Sequence, residues 1–423
     1  MPYNINQIAK KVAWRIMPLA ILGYFLAYVD RINVGFAALT MRNDLGMTAT
    51  AFGFATGLFF WGYALLEVPS NIALSKWGAR IWLSRIMISW GIVSALTAFV
   101  SGITDYAILR VLLGIAEAGF FPGILLYFTY WFPKQFMARA YGFFTLALVF
   151  SPMLGAPIST AIMGLDGWLG LKGWQLMFIL ESLPTILVGI IIALALPEKP
   201  ENVTWLTQQE KNILQEELAQ DTQQTINKTK WYHAIIDSRV WVICSVYLCY
   251  TIGSIGMVIF LPQIIQSLGK QTIMTTGWLS SIPYIAGAIS LVIFGWSSDR
   301  YSERHWHVSL GLATTTFGFA LATFTMGSYW AILGLSIAAI GMYGKMGAFW
   351  ALCGGILKKN KAAVGFAFIN SVGNLGGFIG PFLIGWARDL TGSFSGSIAV
   401  LVFFSLVGTI ISIFAIKNTE TQI

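Results

Sequence analysis

Charge is scarce in this chain. Lys, Arg, Asp and Glu together make up 10% of its 423 residues, against roughly 25% in soluble domains. That is too little to cover a water-facing surface, and it excludes the two or three soluble domains that the length alone would suggest. Cysteine is nearly missing as well. Cys244, Cys249 and Cys353 are odd in number and all fall in apolar runs, which argues against a disulfide framework or a zinc site. Of the three histidines, His233, His305 and His307, only the last two are close together, and they lack further ligands. No Ser/His/Asp set shares one compartment, so neither an enzyme nor a bound cofactor is expected. Gly373, Gly376, Gly377 and Gly380 lie inside an apolar run with no strand before them, and Gly344-Lys345 lacks the earlier glycine of a phosphate loop. Close helix packing accounts for these glycines, and nucleotide binding is not expected.

Apolar sequence is what the chain has in abundance. Hydrophobic residues make up 57% of it and gather in twelve runs at roughly 15–39, 51–73, 82–100, 104–127, 138–163, 174–196, 240–266, 274–296, 307–325, 329–352, 362–386 and 395–416. Each run is long enough to cross a bilayer as a helix, and barrel-type alternation is absent. The fold class is therefore an all-α polytopic membrane protein with twelve transmembrane helices. The longest polar stretch divides the runs six and six, giving an N-terminal bundle over 1–196, a linker over 197–237 and a C-terminal bundle over 238–423. Within the linker, Thr207-Gln-Gln-Glu210 reads as a capping box that opens a short surface helix through Leu218.

The net charge of +8 has a topological reading. Arg42, Lys172, Lys270 and Arg388 fall on one side, Arg31, Arg110 and Lys345 lie within apolar runs, and the remaining nineteen basic residues gather on the other side. The positive-inside rule then puts both termini in the cytoplasm of a cell whose inner membrane holds the chain. Nucleic acid is not an expected partner. The first run is too long for a signal-peptide core and is expected to be retained.

An ionisable side chain in the bilayer costs about 2.5–3.5 kcal/mol on insertion scales, so each one asks for a partner or a task. Arg31 offers a permanently charged fork suited to a carboxylate. Its neighbour Asp30 points about 100° away on a helix and cannot easily pair with it. Glu117, among small residues near the middle of the fourth run, is a candidate proton acceptor. Arg110 lies about 10.5 Å from it by helical rise, too far for a pair, which leaves Arg110 available to Asp30. Lys345 has two readings: a second anion contact, or a side chain snorkelling to the interface. Glu67 and Glu181 read as structural. Tyr24, Tyr247, Tyr250, Tyr284 and Tyr343 can offer hydroxyls, and Asn370 with Asn374 forms an i,i+4 amide pair.

Internal repetition sharpens this picture. Asn71-Ile-Ala-Leu-Ser75-Lys76-Trp77-Gly78-Ala79-Arg80 and Gly295-Trp-Ser-Ser-Asp299-Arg300-Tyr-Ser-Glu-Arg304 occupy the same place in the two halves, as in secondary transporters built from repeats. Gly295-x-x-x-Asp299-Arg300 resembles the loop signature of the major facilitator superfamily. Arg110-Val-Leu-Leu-Gly114-Ile-Ala-Glu117-Ala118 is similar to its fourth-helix signature, and Ser151-Pro152-Met-Leu-Gly155 to the Gly/Pro motif of its fifth helix. The first loop copy departs from the pattern, with Ser75 where the family usually has Asp and Asn71 where it has Gly.

Five further motifs, in order, resemble the anion:cation symporter family and its tartrate, phthalate and 4-hydroxyphenylacetate permease branch. They are Tyr28-Val-Asp30-Arg31-Ile-Asn33-Val-Gly35-Phe-Ala37, Gly62-Tyr63-x-x-x-Glu67-Val-Pro69-Ser70-Asn71, Glu117-Ala-Gly119-Phe-Phe-Pro122-Gly123, Tyr130-Trp131-Phe132-Pro133 and Asn370-Ser371-x-Gly373-Asn374-Leu-Gly376-Gly377.

The resemblance implies two pseudo-symmetric six-helix bundles around one central cavity, with a small organic anion and protons as partners and a monomer in the lipid. It makes Arg31 the substrate anchor; Tyr24, Tyr247, Tyr250, Asn370, Asn374 and Lys345 are further candidate substrate contacts by their own chemistry. Glu117 and Asp30 would couple protons, and Arg110, Asp299 and Arg300 would form gating salt bridges. Lys345 is unexpected, because the family usually shows a small neutral residue there. Two cationic contacts favour a dicarboxylate or sugar acid; a snorkelling Lys345 favours an aromatic or other monocarboxylate. A proton-antiporting exporter is the rival reading.

Overall fold

The structure, a computed structural model, describes residues 5–223, 238–269, 271–357 and 362–416. His233, the expected linker beyond 223, both extreme termini and the basic residues Lys228, Lys230, Lys270, Lys358, Lys359, Lys361 and Lys417 lie outside the described residues. Twelve helical spans are present: α1 Ile5–Asp44, α2 Ala49–Trp77, α3 Ala79–Phe99, α4 Ile103–Thr129, α5 Lys134–Met163, α6 Gly173–Ala195, α7 Ser238–Gln266, α8 Ile273–Tyr301, α9 His305–Phe324, α10 Trp330–Gly355, α11 Phe368–Thr391 and α12 Phe394–Phe414. Helices satisfy their own backbone polar groups, which a hydrocarbon solvent requires. Their outward faces stay apolar: Phe324 is 88% and Leu194 79% exposed, on a surface that lipid tails rather than water would cover.

Between α6 and α7, the helix Gln208–Gln223 runs longer than its capping box alone implies. The box itself forms: the Glu210 amide donates to Thr207 Oγ1 at 3.3 Å, and the Thr207 amide donates to Glu210 Oε2 at 2.8 Å. Lys11 Nζ lies 2.9 Å from the same carboxylate and ties the linker helix to the start of α1. Partial burial works against the charged form of Glu210, but the Thr207 amide and Lys11 prevail and hold the carboxyl below its usual range.

The two halves meet at the end of the bundle opposite the basic loops. There Arg42 Nη1 donates to Gln263 Oε1 at 2.6 Å, and the Ser281 hydroxyl donates to the Met153 carbonyl at 2.9 Å. Asp389 of α11 caps the start of α2, accepting from the Ala49 and Thr50 amides at 3.1 and 2.7 Å and from the Thr50 hydroxyl at 2.6 Å. A carboxylate at a helix N-terminus satisfies amides that the helix itself cannot.

The fourth span of each half is interrupted at the same depth. The first segment of α4, Ile103–Glu117, has 15 residues, and that of α10, Trp330–Gly344, also has 15. Glu117 is the last residue before one interruption, and Lys345 is the residue at the other.

Asp389→Ala removes three hydrogen bonds across the halves, so it is expected to lower stability by about 1–3 kcal/mol. Thermal unfolding of the detergent-purified protein measures the effect.

Candidate functional site

Close helix approach builds the site. A methyl group at Gly114 would overlap the Phe59 carbonyl and the Tyr63 amide of α2, so glycine lets α4 and α2 touch backbone to backbone. That contact places the Phe59 and Tyr63 rings beside α1. Just beyond Glu117, Ala118 leaves the helical region and Gly119 turns back at φ +88°, a conformation that glycine adopts without strain. Gly119 also lies against Ser70 of α2, whose hydroxyl accepts from Trp82 Nε1 at 2.9 Å. Glu117 is thus fixed at a helix end.

Its carboxylate is held by Arg31. Nε donates to Oε1 at 3.0 Å, and Nη2 donates to the same oxygen. The Glu117 side chain is 2% exposed and that of Arg31 24%. Three rings surround the guanidinium, with centroids 5.1 Å (Tyr28), 5.4 Å (Phe59) and 5.4 Å (Tyr63) from it, a cage that favours a cation. Glu117 Oε2 has no hydrogen-bond partner. Sequence reasoning set Arg31 and Glu117 separate tasks; the structure brings them together, from positions 86 residues apart.

A cavity of about 140 Å³ lies between the halves, with Tyr28, Asp30, Arg31 and Arg110 on one wall and Tyr247, Tyr250 and Asn374 among the residues on the other. Asn370 does not line it. Tyr24 stands one layer back, stacked on Phe144 at 4.4 Å and edge-on to Tyr28 at 5.0 Å. Asp30 is buried and accepts from the Ser94 hydroxyl. The expected direct pair of Asp30 with Arg110 is not made in this structure: no ion pair within 4 Å joins them. Arg110 faces the rings of Tyr106 and Phe178 at 5.1 and 5.7 Å.

Lys345 does not snorkel. Its Nζ is buried, donates to the Met342 carbonyl at 3.2 Å and sits 3.5 Å from the centre of the Tyr250 ring. Among the described residues, no carboxylate lies within ion-pair distance of it. Tyr250 stands on the cavity wall, with Lys345 directly behind it. At the basic end, Asp299 pairs with Arg304 at 2.7 Å rather than with Arg300, which lies over Trp296 at 5.4 Å. Consecutive helical residues diverge, and Arg304 across the turn can reach back. In the first half, where Ser75 replaces the acid, Glu198 accepts from the Ala79 and Arg80 amides at 2.6 and 3.2 Å.

Sequence reasoning missed Tyr28, Phe59 and Tyr63 around Arg31, although Tyr24, Tyr28 and Arg31 follow an i, i+4, i+7 spacing that places them on one helix face. It also left Asn33 without a role and read Glu181 as structural; both belong to a buried polar cluster.

Twelve spans in two halves, closed at one end around a polar central cavity, define a secondary transporter. Residues 20–381 match the model of the Major Facilitator Superfamily, and the chain belongs to that family, whose members are transporters and not enzymes. Over 99% of this chain and 93% of the relative, it is 40% identical to a protein of Agrobacterium vitis named "Putative tartrate transporter". It is 37% identical, over 99% of this chain and 96% of the relative, to the "Quinolone resistance transporter" of Acinetobacter baumannii. In fold it is similar to a bacterial homologue of the human lysosomal transporter Spinster, with a TM-score of 0.80, 18% identity and 98% of each chain covered.

Gly119→Ala is expected to destabilise the protein by about 1–2 kcal/mol from the left-handed backbone alone, with further loss from the overlap with Ser70. A lowered midpoint in thermal unfolding checks it.

Proposed function

We propose that the protein is a proton-coupled symporter that imports a small organic anion by alternating access, acting as a monomer in the inner membrane with both termini cytoplasmic. The pairing of Arg31 with Glu117 carries the reading. A guanidinium already held by a carboxylate can take a substrate carboxylate only if Glu117 lets go, and protonation of Glu117 is the change that releases it. Proton and anion are thereby linked at one cation. The ring cage keeps Arg31 oriented while its partner changes, and Asp30 beside Arg110 is a second proton site on the same wall. Asp299 with Arg304, rather than with Arg300, belongs to the gate at the basic end.

Lys345 selects among anions. A buried ammonium with one carbonyl and one ring face for company has room for an anionic partner, and displacement of Tyr250 opens the way to it. Arg31 on one half and Lys345 on the other suit an anion charged at both ends, such as a dicarboxylate or acidic sugar; the relative named for tartrate supports this. A second reading, proton-driven export of aromatic compounds, draws on the ring-lined cavity and on the relative named for quinolone resistance.

Proteoliposomes under an imposed proton gradient separate the two readings. Inward accumulation of tartrate, succinate, gluconate or 4-hydroxyphenylacetate with parallel proton entry is expected, and outward-only movement would refute import. Glu117→Gln is expected to abolish gradient-driven accumulation, and Arg31→Ala to weaken anion binding about tenfold or more. Lys345→Met should reduce dicarboxylate uptake about tenfold while leaving monocarboxylate uptake within a few-fold.

A further inference from the structure

Behind the cavity wall, α1, α3, α5 and α6 bury a second group of polar side chains that the exchange at Arg31 does not use. Asn33 stands one turn after Asp30, and its Nδ2 reaches two carboxyl groups: Glu181 Oε2 at 2.9 Å and Asp30 Oδ1 at 3.4 Å. The Ser159 hydroxyl of α5 donates to the other Glu181 oxygen at 2.6 Å, and the Ser94 hydroxyl of α3 donates to Asp30. None of these five residues is more than 8% exposed. The charged groups around them are few. Arg110 and Glu117 from α4 and Arg31 from α1 face Asp30, and Asp30 is the charge that faces Glu181. Neither acid has a cation within 4 Å among the described residues. Asp30 Oδ2 and Asn33 Oδ1 are buried without a partner.

Two acids on one amide, with no cation in contact, do not both ionise in an apolar interior; such a pair keeps a proton between them. The bridging amide suits that task. One edge of it donates and the other accepts, so by turning over it can face a carboxylate with Nδ2 and a carboxylic acid with Oδ1. The unpartnered Asn33 oxygen is then the acceptor that an acid proton would use.

We propose that Asp30 and Glu181, on either side of Asn33, share one transported proton, with Glu181 holding it while Asp30 turns as a carboxylate toward Arg110, and with the Asn33 amide turning to donate to whichever acid is ionised. The step balances: the Asp30 carboxylic acid gives up a proton, the Glu181 carboxylate takes it, and the charge of the pair is unchanged. Arg110 is ready for the carboxylate so formed, since its Nε and Nη2 have no partner. Glu181 thereby becomes a proton-carrying residue on a helix that does not line the cavity. The proposal rests on the proton-coupled reading above.

Infrared difference spectroscopy of the reconstituted full-length protein between acid and alkaline pH tests it without any substrate. Interacting acids titrate in two macroscopic steps. Beyond the step that Glu117 contributes, the wild type is expected to lose its buried carboxylic-acid carbonyl band in two steps, and Glu181→Gln in one, with the midpoint moved by about one pH unit or more. Glu181→Asp is expected to restore two steps. An unchanged band in Glu181→Gln overturns the proposal, since a merely structural Glu181 would not contribute to it. If Glu181→Gln does not fold, Ser159→Ala keeps both acids and removes one donor. A shift of the same band then supports the proposal, and an unmoved band overturns it. Wild-type proteoliposomes that show two-step titration but no proton entry with the anion would refute symport and leave the shared proton intact.

Discussion

A guanidinium in an apolar interior is costly to leave without an anion, and the cavity wall around Arg31 is arranged around that cost. Leaving a charge unpaired in hydrocarbon costs several kcal/mol, and Arg31 is held by Glu117. A carboxylate fixed at a helix end, with one oxygen bonded and the other bare, is held firmly enough to satisfy the cation. It also leaves the cation partly open, with about a quarter of the Arg31 side chain still accessible. The three rings contribute through their quadrupoles and add no competing charge.

The same economy shapes the backbone. Gly114 and Gly119 serve the pair without touching it: one lets α2 approach and deliver two rings, and the other ends the helix segment directly after Glu117. A substitution at either site would act on the charges through geometry alone. The links at the far end of the bundle are of a different kind. Arg42 with Gln263 and Asp389 with the start of α2 are hydrogen bonds between polar groups near the helix ends, where water can replace each partner. Under the proposed alternating access that end would open, and contacts of that reversible sort would allow it.

The span count, the six-and-six division and the capping box were legible in the sequence, because hydrophobic length and local hydrogen bonding are properties of consecutive residues. Most of the buried charges could be named in the same way, since an ionisable group in an apolar run stands out by itself. Their partners were not legible. Arg31 and Glu117 meet across two helices, and nothing in either local sequence fixes the rotation that joins them. Helical rise correctly separates Arg110 from Glu117, but it does not show that Asp30 turns instead to Ser94 and Asn33. Asp299 was expected in a gating salt bridge with no partner assigned; its neighbour Arg300 points away along the helix, and Arg304 across the turn reaches it instead. Lys345 was ambiguous because snorkelling depends on what stands between the ammonium and water, and here that is the ring of Tyr250.

The equal first segments of α4 and α10 have one more consequence. The two interruptions are counterparts in the two halves, yet one carries an acid and the other a base. The matching frames thus hold groups of opposite sign, an asymmetry that the fold by itself lacks. Under the proposed anion contacts, a molecule with two identical ends would meet two unlike cations, Arg31 held by Glu117 and Lys345 behind Tyr250. Its ends would become distinguishable once inside, and an isotopic label on one of them would report which cation it had chosen.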